Sequence, residues 1–158
     1  NWGSFISITV NDFGVGIHSK VLEKYPDVSV IDAIMMAFTT NFSSKVVEYE
    51  EFWQIDNSID KIQLEHKGFG LIYCLMFVFK NLGRIKICSK NVEIKLFAKL
   101  EAWIRESMWC TPVDFLDLIN DKGYLEFFEM EVTELDYGDF VGTQIFIEIP
   151  TYNMYKGK

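Results

Sequence analysis

"FISITVNDFGVG" (residues 5–16) decides how the rest of the chain is read. Apolar Phe5, Ile6, Ile8 and Val10 alternate with Ser7 and Thr9, and the run is rich in β-branched residues, so a strand is expected up to Asp12. Gly14 and Gly16 follow at once. Two glycines in three residues mark a turn that tolerates positive φ. The strand therefore runs directly into an Asp-x-Gly-x-Gly turn.

The same letters contain the triplet Asp12-Phe13-Gly14, which in a protein kinase carries a magnesium-binding aspartate. That assignment requires a glycine-rich loop, a strand lysine and a catalytic loop upstream, and an Ala-Pro-Glu downstream. Eleven residues precede Asp12 and no Ala-Pro-Glu follows, so the kinase assignment is set aside.

The chain has 158 residues, 49% of them hydrophobic and 16% aromatic, enough to bury a core as one domain. Its 15 Lys and Arg against 23 Asp and Glu give a net charge of −8. That field repels nucleic acid and anionic lipid, so neither is an expected partner, although a local basic cleft still suits a nucleotide. Cys74, Cys88 and Cys110 form no CxxC pair and are odd in number, so a reducing, cytoplasmic setting is expected and the thiols are read as core filler. His18 and His66 are too few for a His/Cys zinc site. The start has no basic region of the signal-peptide kind. The longest apolar run, "FGLIYCLMFVF" (residues 69–79), falls short of the roughly 20 residues a membrane span needs.

Further along, a helix is expected over residues 27–40, with Pro26 and Asp27 as start signals. Residues 41–67 are polar and weakly periodic and read as a lid. Gly68 to Gly83 reads as a glycine turn and then a helix with Leu71, Leu75, Val78, Phe79 and Leu82 on one stripe, stopped by Gly83. Residues 84–98 form a hairpin around Lys90-Asn91. Residues 99–122 are helical, with a second segment from Pro112, and 124–135 and 142–150 are strands. This order predicts an α+β fold, a two-layer sandwich of a mixed, mostly antiparallel sheet with helices on one face.

Four features in sequence order resemble the GHKL (Bergerat-fold) superfamily of gyrase, the ninety-kilodalton heat-shock chaperone, sensor histidine kinases and MutL-type repair proteins. They are the Asp-x-Gly-x-Gly turn, "HKGFGLIYCL" (residues 66–75), "GRIKICS" (residues 83–89) and "GTQIFIEIP" (residues 142–150). "AFTTNFSSK" (residues 37–45) is also similar to the helix-to-lid passage of the kinase-like branch. The resemblance implies one ATP-binding domain over residues 1–150, with a lid over about 39–67, an insertion over about 99–135 and a tail over 151–158. It implies that Asp12 accepts from the adenine amine and that Thr143 bridges the neighbouring acceptor through water. Gly14 and Gly16 would let the backbone pass close to the base. Gly68, Phe69, Gly70 and Leu71 would open a helix whose N–H groups meet the phosphates, with Lys67 beside them and Ser43, Ser44 and Lys45 closing from the lid. Each residue also has an ordinary alternative: Asp before Gly starts many turns, and exposed lysines are commonly just solvated.

The family also carries an asparagine for Mg2+, and in its ATPase branches a glutamate for water activation, on a helix before the first strand. No such helix precedes Phe5. The chain is therefore expected to be truncated upstream, with its magnesium ligand and general base unassigned. Three alternatives stay open. One is the ATP-binding module of a histidine kinase-like enzyme or ATPase. The second is a nucleotide-responsive module that signals to a protein partner or dimer mate without catalysis. The third is an unrelated α+β domain with chance glycine turns.

Overall fold

A computed structural model of the chain describes residues 4–39, 70–106, 111–136 and 140–151. Its elements run β1 (Ser4–Asp12), α1 (Ile17–Lys24), α2 (Val30–Thr39), α3 (Gly70–Lys80), β2 (Arg84–Lys90), β3 (Val92–Ala98), α4 (Leu100–Glu106), α5 (Pro112–Lys122), a 3-10 turn (Tyr124–Glu126), β4 (Phe128–Glu134) and β5 (Phe140–Thr151). The five strands form one sheet in the order β1-β5-β2-β3-β4. Every pairing among them is antiparallel, so the α+β expectation holds and the mixed sheet is corrected to an antiparallel one.

Strand alternation builds the core. Ile85 and Ile87 of β2, Ile94 and Leu96 of β3, and Ile147 and Ile149 of β5 are all buried. They pack with Ile34 and Phe38 of α2, Leu75, Val78 and Phe79 of α3, and Phe115 and Ile119 of α5. Phe79 is the hub of four rings. It stacks on Phe115 at 5.3 Å and meets Phe127 and Phe128 edge-on at 5.6 and 6.0 Å. The opposite sheet face is polar: Glu93 there binds both Lys86 and Lys95, which face each other across β2 and β3. Phe5 lies on this polar face beneath the Arg84 guanidinium. Ile6, Ile8 and Val10 turn to the helix side, where they remain 55%, 42% and 53% exposed.

Several boundaries move for local reasons. Helix α2 begins at Val30, because Ser29 Oγ accepts from Asp32 N at 3.0 Å and donates to Asp32 Oδ2 at 2.7 Å, an N-terminal cap stronger than Pro26 and Asp27 supply. Thr111 and Asp114 make a reciprocal capping box ahead of Pro112 on α5, as Pro112 led us to expect. The turn after α3 is made by Leu82 at φ 49, and Gly83 is required by packing instead: a Cβ there would meet Ile149 Cδ1 at 2.6 Å. Residues 124–126 wind into a 3-10 turn before β4. The 99–135 stretch supplies Phe115, Phe127 and Phe128 to the core and β4 to the sheet edge. Helix α1 has no counterpart in the sequence expectations. The expected lid, and Trp109 and Cys110, lie outside the described residues.

Candidate functional site

The β1–β5 register sets Asp12 opposite Thr143, and the β5–β2 register sets Thr143 opposite Ser89. Three polar side chains thus stand in one row across the sheet, on the helix side, where the neighbouring rows are isoleucine and valine. The buried polar side chains among the described residues are His18, Ser89 and Thr143, and all three belong to this end of the sheet. Burying polar groups costs free energy unless they are hydrogen-bonded. Here Thr143 Oγ1 accepts from Ile17 N at 2.7 Å, Ser89 Oγ donates to Gly142 O at 3.1 Å, and His18 Nδ1 lies 2.8 Å from Ser89 Oγ.

The glycines hold two turns together. Gly142 has φ 93, and a Cβ there would lie 2.8 Å from the Asp12 carbonyl carbon and 2.9 Å from Phe13 Cα. Gly16 has φ 86, and its Cβ would meet Gly142 O at 2.8 Å and the His18 ring at 2.9 Å. So Gly16 is needed because the Asp-x-Gly-x-Gly turn presses on the Gly142-Thr143 turn, a tertiary contact distinct from the close approach to a ligand first expected of it. Gly14 stands over the Asp12 carboxylate, and its N–H donates to Asp12 Oδ1 at 3.0 Å.

Beside these turns lies a cavity of about 450 Å³, lined by Val10, Asp12, Gly14, Val15, Gly16, Ile17, Lys20, Leu71, Thr143 and Ile145. That size is within the range of small-molecule sites, roughly 300–1,000 Å³. Its walls are chiefly aliphatic, with Asp12, Lys20 and Thr143 as the polar side chains. Five of the expected site residues, Asp12, Gly14, Gly16, Leu71 and Thr143, therefore meet in one cavity. Gly70 is the first residue of α3 and has open space where a Cβ would be. Lys45, Lys67, Gly68 and Phe69, with Ser43 and Ser44, lie outside the described residues.

Three residues of the site were not singled out from the sequence. Lys20 lines the cavity and pairs with Glu23 at 3.2 Å. His18 and Ser89 lie behind Thr143. Ser89 carried a signal in retrospect: in "RIKICSK" it takes the inward position after Ile85 and Ile87, where a polar residue needs a partner.

Among the described residues no three His, Cys, Asp or Glu side chains converge on a metal position. No described helix is long and apolar enough to cross a membrane. Compared with protein-family models, curated proteins and solved structures, the chain matches none.

Proposed function

We propose that this cavity binds the adenine end of ATP, and that the chain is an ATP-binding domain of GHKL, histidine kinase-like type. The observation that carries the proposal is the placement of Asp12 directly opposite Thr143 at the mouth of an aliphatic cavity. Adenine offers an amine donor beside a ring-nitrogen acceptor. A carboxylate accepts from the first. The Thr143 oxygen accepts from Ile17 N and lies 3.4 Å from Ser89 Oγ, a long contact that its proton can leave to donate toward the second, directly or through water. A 6-oxopurine would set its oxygen against the Asp12 carboxylate and its ring N–H against the Thr143 proton. The pair therefore favours adenine over guanine. Val10, Val15, Ile17, Leu71 and Ile145 supply apolar surface for the base.

Phosphates would extend toward the N-terminus of α3 at Gly70, where first-turn N–H groups and the helix dipole favour anions. Gly68, Phe69, Lys67 and Lys45 would complete that end. Mg2+ would accompany the phosphates. Its protein ligand, and a base for turnover, belong in the family to the helix preceding β1. The two functional alternatives, a kinase or ATPase and a non-catalytic module coupled to a protein partner or dimer mate, share this adenine site.

Calorimetric titration of the chain with ATP and GTP tests the proposal. ATP is expected to bind and GTP to bind at least tenfold more weakly. Asp12→Asn is expected to cost about 1.5–3 kcal/mol, the worth of a hydrogen bond to a charged group. Equal affinity of wild type and Asp12→Asn for ATP would remove Asp12 from the role.

A further inference from the structure

One cation borders the cavity and has no part in reading the base. Among the described residues that line it, Lys20 is the basic side chain and Asp12 the acidic one, and the others are aliphatic, glycine or threonine. Helix α1 fixes where Lys20 stands. Ile17, the first residue of α1, donates through its N–H to Thr143 Oγ1 at 2.7 Å, so the helix start is tied to one of the two side chains proposed to read adenine. Lys20 comes three residues later, less than one turn, and residues at that spacing share a helix face. Ile17 and Lys20 accordingly border the same space.

The present partner of the Lys20 ammonium is replaceable. Its Nζ lies 3.3 and 3.2 Å from the two carboxylate oxygens of Glu23. The two side chains are 48% and 63% exposed. Ion pairs this exposed contribute little, because water screens the charges and both long side chains lose freedom. A phosphate within reach offers a stronger charge-assisted bond in place of Glu23.

Charge decides which ligand needs Lys20. The chain carries −8, and the Asp12 carboxylate lines the cavity itself. A neutral nucleoside is not opposed by that field, whereas a nucleotide is. A cation beside the base pocket offsets the opposition where the first phosphate leaves the sugar. Leu71, the second residue of α3, borders the same cavity, so the way from the base toward the start of α3 runs through space that Lys20 also lines. We propose that Lys20 binds the phosphate nearest the sugar, and that it makes the cavity prefer a nucleotide to a nucleoside. This role rests on the adenine reading of the same cavity.

The test is calorimetric titration of the chain with adenosine and with AMP, at one ionic strength and without Mg2+. The two ligands share base and sugar, so their difference reads the phosphate alone. Wild type is expected to bind AMP roughly 3- to 30-fold more tightly than adenosine, the worth of a charge-assisted hydrogen bond reduced by solvent screening. Lys20→Met keeps the apolar stem and removes the charge. It is expected to bind adenosine as wild type does, and AMP no more tightly than adenosine. Lys24→Met removes the same charge from α1 outside the cavity, where Lys24 lies over the Tyr25 ring, and is expected to keep the wild-type preference. A wild type that binds adenosine and AMP equally overturns the role of Lys20 and leaves the adenine reading standing. So does a preference for AMP that survives in Lys20→Met, or one lost equally in Lys24→Met, which would be an effect of net charge. A wild type that binds neither ligand overturns the adenine reading, and the role of Lys20 with it.

Discussion

Replacing Gly142 by alanine tests the contact on which the whole site depends. At φ 93 a side chain is strained, at about 1–3 kcal/mol. The added Cβ would sit 2.8 Å from the Asp12 carbonyl carbon and 2.9 Å from Phe13 Cα, separations that real Cβ atoms essentially never show. Both obstacles are backbone, so neither can rotate aside. The β1–β5 pairing must open at its end, and such overpacking costs about another 1–3 kcal/mol. Together these give about 2–6 kcal/mol, against a total stability of about 5–15 kcal/mol for a typical domain. Urea unfolding followed by circular dichroism and tryptophan fluorescence reads the loss. With a slope of about 2 kcal/mol per M, the midpoint should drop by roughly 1–3 M. Adenosine binding should fall as well, because Asp12 and Thr143 separate. A midpoint shift below about 0.5 M would show that the two turns are not pressed together, and the account of Gly142 and Gly16 would fail.

Gly70→Ala makes the opposite case: the position opens α3 with free space around it, so alanine should raise stability by up to about 1 kcal/mol in the same assay while leaving adenosine affinity unchanged. Phe79→Ala empties the centre of the four-ring cluster and should cost about 3–5 kcal/mol by urea unfolding. Burial works against the charged form of Glu93, but the hydrogen bond from Lys95 and the charge of Lys86 outweigh it and hold its pKa below the ordinary 4.5. A lowered folded pKa gives stability that is present above that value and is lost as pH falls through it, so wild type should lose more stability than Glu93→Gln between about pH 5 and pH 3. Burial, and then the Glu93 carboxylate, push the Cys88 thiol up to about 11. Iodoacetamide at pH 8 should therefore leave Cys88 intact in the native chain and modify it in urea, as read by peptide mass mapping.

The sequence by itself determined the features that repeat locally. Alternation in "FISITVND", "RIKICSK" and "QIFIEI" placed β1, β2 and β5, the 3.6-residue stripe placed α3, and Pro112 placed α5. Helix α1 escaped because it buries only His18 and Val21, too few apolar positions to declare a period in a largely polar run. The candidate site was half legible. Asp12, Gly14 and Gly16 stood out as a glycine-containing turn directly after a strand, whereas Thr143 entered only through the resemblance to the GHKL superfamily. What they do together was decided by the tertiary structure. Only pairing β1 with β5 sets Asp12 against Thr143 and makes Gly142 a point of contact between two turns. Only placing β2 beside β5 gives the inward Ser89 its neighbours His18 and Thr143. The physical reason is that periodicity records which way a side chain faces, whereas its partner across a sheet is fixed by strand order and register, which no short stretch of chain contains.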